Sequence, residues 1–278
     1  MNPRFLAAAV AALGLTCLPA YADVINITTP TSTATTTAAI GGTVQLASTQ
    51  LGTGSGVLNP FLTTQANGSS TTEQGYNTGL GGNSPDFDTK RSGGGVTKQL
   101  NFSDLGTKVI NGVSYVGFYL DANQTGSAPL ISLNQVQIFQ SKIDRMDGTA
   151  TPATATTPAA LGFSGSQTTE VFRLNNSSDP NYHQIVVDSS LGPGSGDGDL
   201  FFYVPASDFN VSLGNFIIFY TEFGTPPGSD PTNDGFEEWG TVSGAAPLPG
   251  VPAPANLILA ATGIAPLGLF GWLRRRKS

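Results

Sequence analysis

The sequence is poor in cysteine and in histidine, with one of each in 278 residues. Cys17 falls in an apolar stretch near the N-terminus, which excludes a disulfide framework, a cysteine-ligated zinc site and a cysteine nucleophile from the rest of the chain. His183 lies in a strand-like run, so we expect a histidine on a sheet face or in the core, not a general base. Serine-hydrolase, zinc-protease and phosphate-binding motifs are also missing from the sequence. We therefore predict a non-enzymatic protein without catalytic residues or an organic cofactor.

Charged residues are scarce as well, at 11% of the chain, and negative charge dominates. All 19 acidic residues lie between Asp23 and Glu238, where seven basic residues accompany them, so this segment carries a net charge of −12. Such a surface repels phosphate backbones, and we predict no nucleic-acid partner. Binding of divalent cations is compatible with it.

The N-terminus has the three parts of a secretory signal peptide. Arg4 supplies the basic region, residues 5–18 form an apolar run, and Ala20-Tyr21-Ala22 gives the small-x-small pattern that signal peptidase cleaves. A run of about 14 apolar residues is too short to cross a bilayer. We therefore predict that residues 1–22 are removed by signal peptidase and that the mature chain starts at Asp23.

The C-terminus also has three parts. Val251-Pro252-Ala253-Pro254 comes first, the uncharged segment 255–273 follows, and a basic tail closes the chain with Arg274, Arg275, Arg276 and Lys277. A helix over this segment reaches roughly 28 Å, enough for the hydrocarbon core, and the basic tail should stay on the cytoplasmic side. Glycines and a proline interrupt the segment, which favours a transient anchor that awaits processing.

This combination resembles the PEP-CTERM sorting signal of Gram-negative bacteria, with Ala253 where the commonest form has glutamate. Segments 118–126, 129–133, 197–200 and 233–239 resemble pieces that recur in the bodies of PEP-CTERM surface proteins. The resemblance implies export by the general secretory route, a transient anchor in the inner membrane, and processing by an exosortase, a membrane-embedded cysteine protease-transpeptidase. The destination it implies is the cell surface or an extracellular polysaccharide matrix.

Residues 23–245 are predicted to form one secreted domain, followed by the sorting region 246–278. Glycine and proline make up about a fifth of the chain, against roughly 12% on average, which indicates many short elements joined by turns. Asn111-Gly112 between apolar runs predicts a hairpin. Further strand-like runs occur at 136–140, 170–174, 182–187, 200–204, 215–223 and 237–242. No run before residue 255 keeps a helical apolar period over three turns.

The predicted fold class is therefore all-β, an antiparallel β-sandwich or jelly roll in a single domain. Two threonine-rich tracts, 23–72 and 149–158, interrupt it. Residues 23–72 contain 14 Thr and 5 Ser. Because such tracts offer few large apolar side chains, we expect parts of them to be extended and solvated.

Acidic and amide side chains concentrate in glycine-rich turns. Asp121-x-Asn123-x-Thr125-Gly126 matches the first half of a calcium-binding loop, although its twelfth position is Ser132 instead of the bidentate glutamate of an EF-hand. Further oxygen ligands would come from Asp197, Asp199, Asp234 and Glu237. Two interpretations stay open: a calcium site, or Asx turns that cap strand ends without metal.

Aromatic and acidic residues leave two glycan-related interpretations open. The runs 201–203 and 216–223 could stack on sugars or fill the core, and Trp239 is the candidate for an exposed platform. Glu237 and Glu238 are adjacent and should point to opposite faces of a strand. Glu222 is then the candidate carboxyl partner of either one in glycoside hydrolysis.

These observations predict an exported, non-enzymatic structural or adhesive protein of the cell surface or the extracellular polysaccharide matrix. Its expected partners are signal peptidase, an exosortase-type enzyme, the inner membrane for a limited time, and extracellular polysaccharide. A carbohydrate-binding module that holds matrix polysaccharide is the alternative. A secreted glycan-active enzyme is the third interpretation.

Overall fold

The fold was analysed in a computed structural model, which describes twelve stretches of the chain. They are residues 22–28, 35–37, 42–46, 60–78, 87–91, 97–145, 166–175, 182–191, 198–224, 229–233, 235–242 and 246–247. The predicted signal peptide up to residue 21, the tract 149–158, and the sorting motif, apolar segment and basic tail lie outside these ranges. Within them, no helix has the length and apolar character needed to cross a bilayer.

The described residues form two β-sheets that pack face to face, which confirms the predicted all-β sandwich. Sheet A contains β1 (Ala22–Ile27), β5 (Glu73–Tyr76), β6 (Leu100–Asn101), β9 (Leu130–Ser141), β10 (Thr168–Arg173), β11 (Tyr182–Asp188) and β13 (Phe216–Phe223). Sheet B contains β2 (Thr35–Thr37), β3 (Gly42–Leu46), β4 (Pro60–Thr64), β7 (Gly106–Ile110), β8 (Val113–Ala122), β12 (Leu200–Pro205), β14 (Glu237–Thr241) and β15 (Ala246–Pro247). Short 3-10 turns cover Phe102–Asp104, Ala206–Asp208 and Val211–Leu213.

Sheet A is organised around β9, the longest strand. One side of β9 pairs with β13, and the other side pairs first with β11 and then with β10. On its far side β13 pairs with β5 and β6. The strand β1 differs from the antiparallel expectation, because it runs parallel to β11. It precedes the other strands of the described residues and is far from β11 in sequence, so no tight turn to its neighbour dictates its direction.

Sheet B is organised around β8 in the same way. One side of β8 pairs with β12, and the other side pairs with β7 over its first part and with β14 over its last part. Beyond β14 lies β4. The turn from β7 to β8 consists of Asn111 and Gly112 at φ of 50° and 82°, which confirms the predicted hairpin.

Alternate residues of both sheets fill one continuous apolar core. Sheet A contributes Ile131, Leu133, Val136, Ile138, Phe219 and Phe223 among others, and sheet B contributes Phe61, Phe118, Leu120, Phe202, Val204 and Trp239. The prediction of Trp239 as an exposed platform is wrong, since its side chain is 0% exposed. Its ring centroid lies 4.8 Å from that of Phe219, because the alternation of β14 points Trp239 toward sheet A.

Gly235 provides a test of how closely the chain packs at the start of β14. A Cβ atom at this position would lie 1.3 Å from the backbone oxygen of Asn123. We expect Gly235→Ala to force the 122–130 turn away from β14 and to cost about 1–3 kcal/mol, which lowers the melting midpoint by roughly 2–12 °C in a chain of this size. Gly126→Ala is the matched control, since nothing lies within 4 Å of its added Cβ. Equal midpoints for the two variants in thermal unfolding would contradict this packing.

Candidate functional site

Two glutamates meet inside the sandwich, near the end where β4, β5 and β14 bring the two sheets together. Glu73 lies opposite Phe223 in the β5–β13 pair, so its side chain points into the core with that phenylalanine. Glu237 lies opposite Thr64 on β4 and Ala122 on β8, on the inward face that it shares with Trp239. The two side chains are 1% and 0% exposed. Neither carboxyl is open to solvent.

The carboxyl of Glu73 is well supplied with donors. The Thr64 hydroxyl donates to Oε1, and the Ala66 amide donates to Oε2 at 2.8 Å. Both donors belong to the stretch that leaves β4 in sheet B and crosses to β5 in sheet A. The crossing of the chain between the sheets therefore wraps this one carboxyl group.

Glu237 has fewer hydrogen-bond donors than Glu73. The Gln124 side-chain amide donates to Oε1 of Glu237, but among the described residues no N–H or hydroxyl group donates to Oε2. Thr64, which donates to Glu73, lies directly opposite Glu237 in the β4–β14 pair, so the two carboxyl groups are close neighbours. Two carboxyl groups thus face each other in the core, and only one of them has a protein donor on each oxygen.

The environment raises the pKa of both groups. Burial is the largest cause of a Glu237 pKa well above its ordinary value of 4.5, the adjacent Glu73 charge and hydrogen bond raise it further, and the Gln124 amide opposes them. Burial also raises the pKa of Glu73, against the hydrogen bonds from Glu237, Thr64 and Ala66.

The structure brings three of the predicted calcium ligands to this end of sheet B, but on two faces. Asp121 lies on the outer face of β8, across from Glu238, whereas Glu237 points inward. Asp199 is buried, and its Oδ2 accepts a hydrogen bond of 2.8 Å from the Ala122 amide. Asp197 and Asp234 lie outside the described residues. Within the described stretches, no group of three or more His, Cys, Asp and Glu side chains is arranged to hold a metal.

The predicted ligands Asn123 and Thr125 connect two chain segments. The Asn123 amide donates to the Phe236 carbonyl oxygen at 2.9 Å, and the Thr125 amide donates to Oδ1 of Asn233 at 2.7 Å. Asn233 in turn donates to the Ala128 carbonyl oxygen at 2.6 Å. These bonds hold the 122–130 turn against the approach to β14. The calcium site stays a prediction.

The carboxyl partner of Glu237 differs from the one expected. Glu237 and Glu238 do point to opposite faces, as predicted, because Glu238 accepts from the Thr63 hydroxyl on the outer side of sheet B. Glu222 lies on the outer face of sheet A, where the Tyr220 hydroxyl donates to it at 3.4 Å. The partner of Glu237 is Glu73, which the sequence analysis missed. Its surroundings, Thr71-Thr72-Glu73-Gln74-Gly75, contain neither a motif nor apolar alternation.

This pair lacks the geometry of a glycosidase centre. Glycoside hydrolysis places its two carboxyl groups about 5 Å or more apart across an open cleft. Glu73 and Glu237 are both closed to solvent, so no open cleft lies between them. No sugar ring fits between them.

Aromatic side chains also line the outer face of sheet B. The rings of Phe201 and Tyr203 stack with centroids 6.0 Å apart and planes inclined by 26°. The Lys108 ammonium lies 5.2 Å from the Tyr203 ring centroid and donates to the Tyr203 hydroxyl at 3.2 Å. Both rings are buried, as is His183, whose burial agrees with its predicted structural place.

No protein-family model matches the chain, and neither a curated protein nor a solved structure is significantly similar to it.

The hydroxyl of Thr64 should contribute measurably to stability. Thr64→Val keeps the shape of the side chain but removes a donor to the buried Glu73 carboxyl, and a buried group left without its partner costs about 1–3 kcal/mol. Thr63→Val is the matched control, because that hydroxyl donates to the half-buried Glu238. We expect denaturant unfolding to give the larger loss for Thr64→Val. A larger loss for Thr63→Val would contradict the importance of the buried carboxyl.

Proposed function

We propose that this chain is an exported structural or adhesive protein of the cell surface or the extracellular polysaccharide matrix, without enzymatic activity, and that an exosortase-type system sorts it. Residues 1–22 act as its signal peptide. Residues 255–273 form a transient anchor in the inner membrane, with the basic tail on the cytoplasmic side. The sandwich is the part that is delivered.

The observation that carries this proposal is the place of the folded domain between the two terminal signals. The first described strand, β1, begins at Ala22, where cleavage is predicted, and Ile25 and Ile27 of that strand pack into the core. The last described strand, β15, ends at Pro247, just before the motif at Val251. Removal of both signals would therefore leave the sandwich essentially intact.

The masses of the mature protein test this proposal. We expect protein recovered from the surface of the native host to begin at Asp23 and to end between Val251 and Ala255. Replacing Arg274, Arg275, Arg276 and Lys277 with glutamine should impair orientation in the membrane and lower the amount of processed protein, because the positive-inside bias is lost. Intact mass spectrometry and N-terminal sequencing give the readout. Surface protein that retains the basic tail would contradict the proposal.

A carbohydrate-binding module is the alternative function that the aromatic runs of the sequence suggest. The stacked Phe201 and Tyr203 do not add support for it, because both rings are buried. A polysaccharide pull-down with the full chain separates the two functions. Retention of the chain on matrix polysaccharide would favour the binding module, and passage without retention would favour the structural role.

Calcium is proposed as a stabilising ion of the delivered domain, with ligands drawn from the predicted set Asp121, Asn123, Thr125, Asp197, Asp199, Asp234 and Glu237. Asp121 and Glu237 point to opposite faces of sheet B, so one ion would not take both. We expect millimolar Ca²⁺ to raise the melting midpoint by about 5–10 °C at a hundredfold excess over Kd. Mg²⁺ should raise it less, because it demands stricter octahedral geometry. Asp121→Asn and Asp197→Asn should each reduce the shift. An unchanged melting curve with calcium and with chelator would leave these turns as Asx caps.

A further inference from the structure

Strand β1 forms an open edge of sheet A. It pairs with β11 on one side, and among the described residues no group pairs with its other side. Along the strand, exposed Val24 and Asn26 alternate with buried Ile25 and Ile27. An edge of this kind presents a row of backbone N–H and C=O groups with which another extended strand can pair.

The opposite edge of sheet A is covered. There the Gln74 amide of β5 donates to Oδ2 of Asp88 at 3.0 Å, and the Gln74 carbonyl oxygen accepts from the Asp88 amide at 3.0 Å. The Tyr76 amide donates to Oγ1 of Thr89 at 3.1 Å. The segment 87–91 therefore satisfies the outer backbone groups of β5, and no further strand can add at this end.

The edges of sheet B are also protected within the described stretches. The carbonyl oxygens of Phe61 and Thr63 on β4 accept from the Lys98 amide at 2.9 Å and from the Lys90 amide at 2.8 Å. The strands β2 and β15 comprise only three and two residues. The strand β7 carries Lys108 on the part that β15 does not cover. Coverage, shortness and lysine are three means by which natural proteins prevent pairing at a sheet edge.

Strand β1 has none of these protections. It is six residues long, and residues 22–28 contain no lysine, arginine or proline. Val24 exposes 45% of its side chain on the outer face of the sheet. A long, apolar and unprotected edge strand predicts association with another strand.

We propose that this edge is a dimer interface, in which β1 of one copy pairs antiparallel with β1 of a second copy and joins the two A sheets into one. A two-fold axis perpendicular to the sheet keeps the inward faces of both copies on the same side. Centred on Ile25, it places Val24 opposite Asn26 of the partner subunit. The proposal concerns the sandwich alone and holds wherever the chain is delivered.

A second copy fits this edge for two reasons. The contact is self-complementary, so one pairing satisfies the open edges of both copies, as in the two-fold dimers that are commonest among oligomers. Because the far end of sheet A is covered, the assembly stops at two copies. The net charge of −12 between residues 23 and 238 opposes contact at other surfaces, whereas residues 24–28 carry no charge.

The variant Val24→Lys tests the interface. It should raise the dimer dissociation constant of the full chain in detergent by about tenfold or more, because each copy places an ammonium group on the paired edge. Val109→Lys is the matched control, since that valine is 68% exposed on the β7–β8 hairpin and the change in charge is the same. Its dissociation constant should equal that of the wild type. Analytical ultracentrifugation gives the readout.

A disulfide test locates the contact without adding charge. In a Cys17→Ser background, which has no cysteine, Val24→Cys with Asn26→Cys places thiols opposite each other across the axis. Within one chain the two Cβ atoms lie about 6.6 Å apart, too far for a disulfide. Mild oxidation should therefore give a covalent dimer that reductant dissolves. The exposed pair Val109→Cys with Val113→Cys is the control and should stay monomeric.

Four outcomes would overturn the proposal. They are a wild type that is monomeric at every concentration, equal weakening of the dimer by Val24→Lys and Val109→Lys, equal cross-linking of the two cysteine pairs, and the absence of a covalent dimer from the β1 pair. Cross-linking of Val24→Cys alone as efficient as that of the pair would refute the register centred on Ile25.

Discussion

The structure depends on burying a set of aromatic rings between two sheets in a chain whose body has no cysteine. Phe61 contacts Phe219 with ring centroids 5.5 Å apart, Phe118 lies 5.0 Å from Phe219, and Trp239 lies 4.8 Å from it. Phe219 belongs to sheet A and the other three rings to sheet B, so this cluster joins the sheets. Full burial of each such side chain stabilises the fold by about 1.5–3 kcal/mol. Sheet pairing alone would leave the two sheets unconnected.

The same packing brings the carboxyl pair into the core. Because side chains alternate along a strand, the register that points Trp239 inward also points Glu237 inward, two residues earlier. Phe223 also points inward, and its cross-strand neighbour Glu73 therefore lies on the same inward face. An isolated buried charge is very costly, and the hydroxyl, backbone amide and side-chain amide around the pair reduce that cost. The polar end of the sandwich is therefore a consequence of how its apolar centre is arranged.

Much of this fold, but little of its site, follows from local sequence. The strands β8 and β10 to β14 have apolar runs or alternation that local patterns identify. The strand β9 begins before its recognisable apolar run at residues 136–140, because buried polar residues such as Asn134 and Gln135 occupy its first half. The strands β4 and β5 carry Thr, Gln and Gly, and their pairing with β14 and β13 fixes them as strands. The proximity of Glu73 to Glu237 depends on the β5–β13 and β4–β14 pairings together. Local chemistry suggested Glu222 instead, which faces outward because it lies one position from Phe223.

The donors around the pair also bear on whether a metal ion could lie between the two carboxyl groups. Calcium in proteins takes six to eight oxygen ligands, at about 2.3–2.6 Å. The pair offers four carboxylate oxygens, and three of them already accept from Thr64, Ala66 and Gln124. A cation at their centre would have to displace donors that belong to the crossing between the sheets. A calcium ion bound elsewhere, among the turns that carry Asp121 and Asp199, leaves this arrangement unchanged.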